Sequence, residues 1–378
     1  MTTILDELDA DTRRTLDAYG FDAGEFERLR ERVRTGDLSP ESNVVTGEVR
    51  PPGPEDVTPL PDSPDSRYSA AHAAGLTALE SGAVASVVLN GGMATRFGGV
   101  VKGVVEAVDG RSFLEVKLGQ AAALSEQWGV EVPTAVMNSF ATDEPTRAFL
   151  ESRGVPQPLY FAQRVSLRLE ADGELFRDDE GAVSLYAPGH GDFLPALRES
   201  GTLQRLRDRG IRHVMVSNVD NLLARLDPVV LGMHITAGRP MTAEVARNTG
   251  EPGGAPARVD GTLMLLESMR FPPDFDQSTL PVTNVNTVTF DLDALDRDFD
   301  LTWLYVEKKV QGRTAVQLEH LFHEASAFLP TTYLEVPVTG PASRFLPIKK
   351  PDDLEAARPA LREALRQPAG DAGVSGPA

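Results

Sequence analysis

The sequence predicts an α/β protein built on a mostly parallel sheet, and three observations carry that reading. Strand-length apolar runs alternate with helix-period segments from about residue 83 to residue 238. The first of these runs, Ala83–Leu89, is apolar apart from Ser86, as in a strand covered on both faces. Three of the runs end in polar clusters, "LNGG", "MNSF" and "SNVDN". Sheets of this kind hold their ligands at the C-terminal ends of strands, so neighbouring strands would aim those clusters into one cleft.

Residues 1–36 read as two helices, "ILDELDADTRRTLDAYG" and "AGEFERLRERVRTG", each closed by a glycine. The passage "RPPGPEDVTPLPDSPDS" is too rich in proline for a helix or a ladder and is expected to be a loop or extended strap. A short alanine-rich helix, "RYSAAHAAGLTALESG", leads into strand Ala83–Leu89. Helix "SFLEVKLGQAAALSEQWG", strand "VPTAVMNS" and helix "TDEPTRAFLESRG" follow, the last with Thr142 as N-cap and Pro145 in its first turn. One helix, "ESGTLQRLRDRG", precedes strand "IRHVMVSNVDN", and "DPVVLGMHITAG" is again helical. Beyond residue 240 the texture changes. "MTAEVARN", "ARVDGTLMLLE", "NVNTVTFDL" and "LTWLYVEKKV" predict a more antiparallel region, either a second lobe or an extension of the first sheet. "DDLEAARPALREALR" is a helix, and "QPAGDAGVSGPA" is expected to be a disordered tail. The expected organisation is 1–80 (helices and strap), 81–355 (the main domain) and 356–378 (helix end and tail).

Composition narrows the function. The chain of 378 residues has a net charge of −19 at pH 7, which argues against tracking along nucleic acid, where a basic footprint dominates affinity. An acidic surface still allows a phosphorylated small molecule in a cleft with a few cations. With no cysteine, disulfides, thiolate zinc sites and cysteine nucleophiles drop out together. No apolar run approaches the roughly 20 residues a membrane span needs, so no membrane partner is expected. The start, "MTTILDELDADTRR", lacks the layout of a signal peptide, so a cytoplasmic setting is expected.

The chemical signal begins in "VVLNGGMATRFGGVVKG", Val87–Gly103. A strand opens into a loop of four glycines carrying Arg96 and Lys102 and no carboxylate. Such a loop lets backbone N–H groups approach an anion. It matches neither G-x-x-x-x-G-K-[ST] nor G-x-G-x-x-G, so neither a P-loop NTPase nor a dinucleotide-binding dehydrogenase is indicated. In "APGHGDFLPALRESG", the glycines flanking His190 permit close backbone approach, and Asp192 is placed to cap the next helix. "VMVSNVDNLLARLD" puts Asn218, Asp220 and Asn221 at a strand end. A carboxylate among amides suits a hard cation such as Mg²⁺, and equally an Asx-capped turn. "EHLFHEAS" spaces His320 and His323 three residues apart, but its apolar residues suit a half-buried helix and no third metal ligand is evident.

Taken together, "LNGGMATRFGG…K", "VMNSFATDEPT", "APGHGDFLPAL", "VSNVDNLLARLD" and "SRFLPIKKPDDL" resemble, in order, the UTP–glucose-1-phosphate uridylyltransferase family over about residues 85–355. The resemblance implies a Rossmann-like nucleotidyltransferase core with a mixed, mostly parallel sheet covered by helices. It implies the reaction of UTP with glucose 1-phosphate to UDP-glucose and pyrophosphate, with Mg²⁺. It further implies Arg96, Lys102 and Lys309 as the cations of catalysis. Leu89, Asn90, Gly91, Gly92, Gln163, Gly189 and His190 would hold the nucleotide. Asn218, Gly254, Glu267, Asn284 and Asn286 would hold the sugar, and Asp220 the metal. Many members continue into a C-terminal β-helix that builds oligomers. This chain is expected to be a short form without it, with the oligomeric state open, a monomer included. The loop also departs from the family: it reads "GGVVKG", one residue shorter and without proline before the lysine.

Such a reaction needs positioned cations more than acid–base groups, because the attacking phosphate is already ionised. Three alternatives stay open. One is a UDP-N-acetylhexosamine pyrophosphorylase and another a broad UDP-sugar pyrophosphorylase. A third, from another class, is a non-catalytic nucleotide-sugar sensor, against which Arg96, Lys102 and Asp220 stand.

Overall fold

The computed structural model describes residues 4–62, 65–94, 99–250, 252–340, 342–346, 348 and 350–366. Nine α-helices are found among them: α1 (Ala10–Ala18), α2 (Ala23–Arg34), α3 (Ser66–Glu80), α4 (Phe113–Trp128), α5 (Asp143–Ser152), α6 (Phe193–Glu199), α7 (Thr202–Asp208), α8 (Pro228–Ala237) and α9 (Pro351–Arg366). Short polar residues start several of them. Asp9, Asp22, Asp65 and Asp227 accept backbone N–H groups at α1, α2, α3 and α8, and Ser112 with Glu115 forms a reciprocal cap at α4. Thr142 precedes α5 as expected, but its hydroxyl accepts from the Ser139 N–H at 2.8 Å and does not cap the helix.

Twelve strands matter for the site: β1 (Val57–Pro59), β2 (Val84–Leu89), β3 (Thr134–Asn138), β4 (Leu159–Ala162), β5 (His213–Asn218), β6 (Met241–Arg247), β7 (Ala255–Val259), β8 (Thr262–Leu266), β9 (Val282–Asp291), β10 (Leu304–Val310), β11 (Arg313–Glu319) and β12 (Thr331–Glu335). Eight form one sheet in the order β1-β12-β6-β9-β5-β2-β3-β4. Every neighbouring pair is parallel except the two made by β9, which runs against the rest between β6 and β5. β7–β8 and β10–β11 are separate antiparallel hairpins. Residues beyond 240 therefore divide: β6, β9 and β12 extend the main sheet, while the two hairpins stand beside it.

Two expectations are corrected. The proline-rich strap does join a ladder, since Val57–Pro59 pairs with Tyr333–Glu335. Proline is tolerated there because β1 is an edge strand and needs donors on one side only. The helix expected over Glu199–Gly210 begins only at Thr202, because Gly201, whose φ of +73° is left-handed, separates α7 from α6, which ends at Glu199.

Every residue of β2 is buried, and the pleat sends alternate side chains to two cores. Ala85, Val87 and Leu89 meet α6, α7 and Phe322 on one face. Val84 and Val88 meet α3, α4 and α9 on the other. α3 and α8 cross closely because both carry glycine at the crossing. A Cβ on Gly75 would lie 1.9 Å from Pro228 O, and one on Gly232 would lie 1.7 Å from Ala71 O. α1 and α2 pack on the irregular 165–185 segment and on β10–β11.

Candidate active site

The C-terminal ends of β2, β3 and β5 are adjacent by register, with Asn218 opposite Leu89 and Leu89 opposite Met137. Their loops open onto a cleft of about 580 Å³. Because β9 runs the other way, it delivers its N-terminal part, Asn284 and Asn286, to the same edge.

The glycine loop leaves β2 at Asn90. Asn90 is fully buried, and its amide donates to Asn138 Oδ1 (2.8 Å) and Thr146 Oγ1 (2.9 Å), tying β2 to β3 and α5. It thus builds the wall behind the cleft rather than its lining. Leu89, Gly91 and Gly92 do line it. Gln163 lies against Gly91 so closely that a Cβ there would come within 2.7 Å of Gln163 Oε1, so a larger residue would push the Gln163 amide aside. Arg96 lies outside the described residues.

Lys102 bonds Asp220 through its ammonium, which also donates to Ile348 O at 2.7 Å. Both side chains line the cleft and are about one-fifth exposed. The loop holding Asp220 is fixed from several sides. Asn221 bridges Arg344 O (3.1 Å) and the Leu346 N–H (3.3 Å), clamping the "SRFLPI" segment. Arg344 in turn makes a buried two-pronged pair with Glu244 at 2.6 and 2.7 Å. From beneath, Lys117 of α4 donates to Ser217 Oγ (3.1 Å) and Ala224 O (2.8 Å).

At the far wall Gly189 takes φ +89°, and a Cβ would meet His320 O at 2.6 Å. His190 Nδ1 accepts from the Phe322 N–H at 3.3 Å, which leaves Nε2 to carry the proton. Burial, reinforced by His323 and His320, pushes the His190 imidazole down to about 3, so it is neutral at ordinary pH. Asp192 does not cap α6. It accepts from the Arg164 guanidinium (2.8 Å) and backbone N–H, with His320 Nε2 3.5 Å away. Burial raises the Asp192 carboxyl, but His320 and Arg164 outweigh it and hold it below the usual carboxylate range.

The residues expected at the sugar form one chain leading from the cleft. Asn286 Nδ2 donates to Asn218 Oδ1 (3.1 Å), and the Asn286 N–H donates to Asn284 Oδ1 (3.0 Å). The Asn284 N–H donates to Gly254 O (2.7 Å), and a Cβ on Gly254 would stand 3.1 Å from Glu267 Oε2. Glu267 reaches within 3.7 Å of His323, whose ring lies 5.6 Å from that of His190. Asn286 holds a left-handed φ of +55°, and its Oδ1 is buried without a partner among the described residues.

Lys309 is not in this assembly: its ammonium donates to Thr314 on the exposed face of the hairpin. Successive strand residues point to opposite faces, so the neighbouring Lys308 lines the cleft instead, 3.6 Å from Glu319. Alternation in "LYVEKKV" was the available signal. Arg168, Tyr186, Gln317 and Ser139 also line the cleft and were missed. Ser139 stands in the "MNSF" cluster itself, whereas the other three come from an irregular segment or the second hairpin, where no motif marks them. His320 directly follows β11 and His323 lies in a 3-10 turn (Phe322–Ala327), rather than both in an α-helix.

An eight-stranded sheet with one reversed strand, a glycine loop leaving a central strand and a lysine–carboxylate pair at the strand ends define an α/β protein with a polar cleft at its strand ends. The comparisons give its family. Residues 24–363 match the UTP–glucose-1-phosphate uridylyltransferase family, and the chain belongs to that family. It is 29% identical over 288 residues to the enzyme of that name from Encephalitozoon cuniculi, a match covering 72% of this chain and 57% of that one. It is 31% identical over 284 residues to the one from Hordeum vulgare, covering 70% and 59%. The chain thus spans somewhat over half the length of these relatives. Among solved structures, UDP-glucose pyrophosphorylase from Leishmania major (V402W mutant) superposes with a TM-score of 0.70 at 25% identity, covering 93% of this chain and 79% of that one. The uridine diphosphate N-acetylglucosamine pyrophosphorylase from Trypanosoma brucei superposes with a TM-score of 0.73 at 20% identity, covering 95% and 79%, a likeness of fold. Among the described residues no helix is long and apolar enough to cross a membrane.

Proposed function

We propose that this chain transfers UMP from UTP to a sugar 1-phosphate, glucose 1-phosphate first, releasing pyrophosphate. The observation that carries the reading is the single strand-end edge onto which the Lys102–Asp220 pair, the Gln163–Gly91 wall, His190 and the Asn218–Asn286–Asn284 chain all converge. The names of the relatives support it.

In this reading a phosphate oxygen of the sugar phosphate attacks the α-phosphorus of UTP in line. The new P–O bond forms as the bond to the β-phosphate oxygen breaks, and pyrophosphate leaves. No base is needed because the attacking oxygen is already ionised. The chain's task is to bring two anions together and to hold them. Gln163 and the backbone at Gly91 and Gly189 meet the base, and Leu89 and Gly92 shape the entrance. Neutral His190 offers its Nε2 proton near the phosphates. Arg96 and Lys102 bind phosphate oxygens, with Lys308 in the position first given to Lys309. Asn218, Asn284, Asn286, Gly254 and Glu267 receive the sugar hydroxyls.

Asp220 suits Mg²⁺: it is an oxygen donor facing the cleft, and its second oxygen has no hydrogen-bond partner among the described residues. Mg²⁺ bound there would neutralise charge on the phosphate oxygens.

The test is pyrophosphate release from purified protein with UTP, Mg²⁺ and a panel of sugar 1-phosphates, with Asp220→Ala as control. Release with glucose 1-phosphate that vanishes in the control is the expected result. Release with N-acetylglucosamine 1-phosphate alone moves the substrate to the acetylated sugar. Silence with every sugar, despite UDP-glucose binding by calorimetry, overturns the enzyme in favour of a sensor.

A further inference from the structure

At the opposite end of β5 and β9 from the cleft, two histidines and an aspartate converge. His213 opens β5, and Asp291, its partner in the ladder, closes β9. His234 comes from the last turn of α8, packed over the same edge. Five residue steps along β5 separate His213 from Asn218, about 17 Å at strand rise, so this cluster is distinct from the active-site edge.

Its geometry is hard to satisfy with protons alone. His213 Nδ1 lies 2.9 Å and His234 Nε2 3.1 Å from one and the same oxygen, Asp291 Oδ1. The contact from His234 has hydrogen-bond geometry. The one from His213 does not, and its Nδ1 is a buried nitrogen without a hydrogen-bond partner. All three ligand atoms fall within 4.8 Å of one another. In a tetrahedral site with ligands at about 2.0–2.1 Å, neighbouring donor atoms stand about 3.3 Å apart, close to two of the separations here.

The surroundings fit a metal ligand set. His234 is 1% exposed, and its other nitrogen, Nδ1, is 2.9 Å from Thr242 Oγ1, the outer partner that orients a ligating imidazole and fixes its tautomer. Burial raises the Asp291 carboxyl, but the two imidazoles more than offset it and hold the group well below the usual range, so it is anionic. The Asp291 side chain is 43% exposed, which leaves an open side for water.

We propose that His213, His234 and Asp291 bind one divalent transition-metal ion of the zinc class, with water completing the shell. Two imidazoles and one carboxylate favour Zn²⁺, Co²⁺ or Ni²⁺ over Mg²⁺, which prefers all-oxygen ligands. The ion ties α8 to β5 and β9, the two strands whose far ends carry Asn218 and the Asn284–Asn286 pair.

The test uses the full chain, stripped with chelator and dialysed against Zn²⁺ in excess Mg²⁺, with metal counted per chain. Co²⁺ substitution is followed by its visible absorption. One equivalent of Zn²⁺ is expected, with affinity falling by about a hundredfold or more in His213→Gln and in the near-isosteric Asp291→Asn. His323→Gln, which alters the other histidine cluster, is expected to keep the ion. Circular dichroism checks that each variant is folded, and Asp291→Asn decides the matter if His213→Gln is not. Pyrophosphate release with Mg²⁺ is expected to be unchanged in Asp291→Asn. Zinc retained equally in Asp291→Asn, zinc lost in His323→Gln instead, or no zinc on the native chain would each overturn the proposal. The last would leave the Asp291 carboxylate hydrogen-bonded to His234 alone among the described residues.

Discussion

Lys117 is a cation placed where cations are costly. It sits on α4 beneath the Asp220 loop, 4% exposed, with a hydroxyl and a carbonyl as its partners and no carboxylate in contact among the described residues. Burial pushes its ammonium down from 10.5 to about 7. Asp220 and Glu244 draw it up, while Arg344 and Arg225 push further down. The unfolded chain keeps a pKa near 10.4. Below about pH 7 both states hold the proton and the penalty for burying charge is fully present. Between about 7 and 10.4 the unfolded state binds more protons than the folded one, so stability rises with pH across that window and levels off above it. At about 1.4 kcal/mol per unit the full effect is on the order of 3–5 kcal/mol. Lys117→Met keeps the volume and cannot titrate, but strands the Ser217 hydroxyl and Ala224 carbonyl at about 1–3 kcal/mol each. Urea unfolding of both proteins at about pH 7, 8 and 9.5 measures the difference. The native chain should gain about 3 kcal/mol on the variant between the first and last of these. Parallel stability profiles would refute the argument, because they would mean Lys117 is solvated or paired in a way its contacts do not show.

Other perturbations test separate parts of the account. Lys102→Ala should lower pyrophosphate release by about 10²–10³ in kcat, and near-native turnover would remove the lysine from catalysis. Gly75→Ala should force α3 off α8 and cost at least about 1–3 kcal/mol, seen as a fall in Tm; an unchanged Tm would deny the close crossing. Arg344→Met leaves Glu244 charged and buried, at about 3–5 kcal/mol, whereas adding Glu244→Leu should recover most of that loss in thermal unfolding. His190 should stay neutral down to about pH 5, so its ring signals in an NMR titration should not move between pH 5 and 8. A midpoint inside that range would place it in contact with solvent.

The main sheet was legible where a strand is covered on both faces, since β2, β3 and β5 are mostly apolar runs whose polar ends mark the cleft. β9 was legible as a strand of an antiparallel region, but its place between β6 and β5 was not. That place depends on which neighbours it pairs with, which "NVNTVTFDL" alone does not specify. The strap hid β1 because proline rules out a central strand but not an edge. At the site, a motif reports that a residue matters and not which way it points. Asn90 and Lys102 belong to one glycine loop, yet one is sealed in the wall and the other faces the cleft. Asp192 precedes a helix as a cap would, and a partner far along the chain, Arg164, took its oxygens instead.

The strand order also sets a timetable for the growing chain. β2, β3, β4 and β5 complete a contiguous parallel half by residue 218, before β6 is made. β6 then emerges with neither neighbour in existence, since β9 and β12 both lie downstream, and β1 waits for β12 from the beginning. During synthesis the molecule therefore passes through a state with an open, apolar sheet edge and an idle N-terminal strap, the kind of surface that recruits other chains. Refolding from denaturant should show the same vulnerability, with losses to aggregation rising with protein concentration until Tyr333–Glu335 docks and Val57–Pro59 seals the edge.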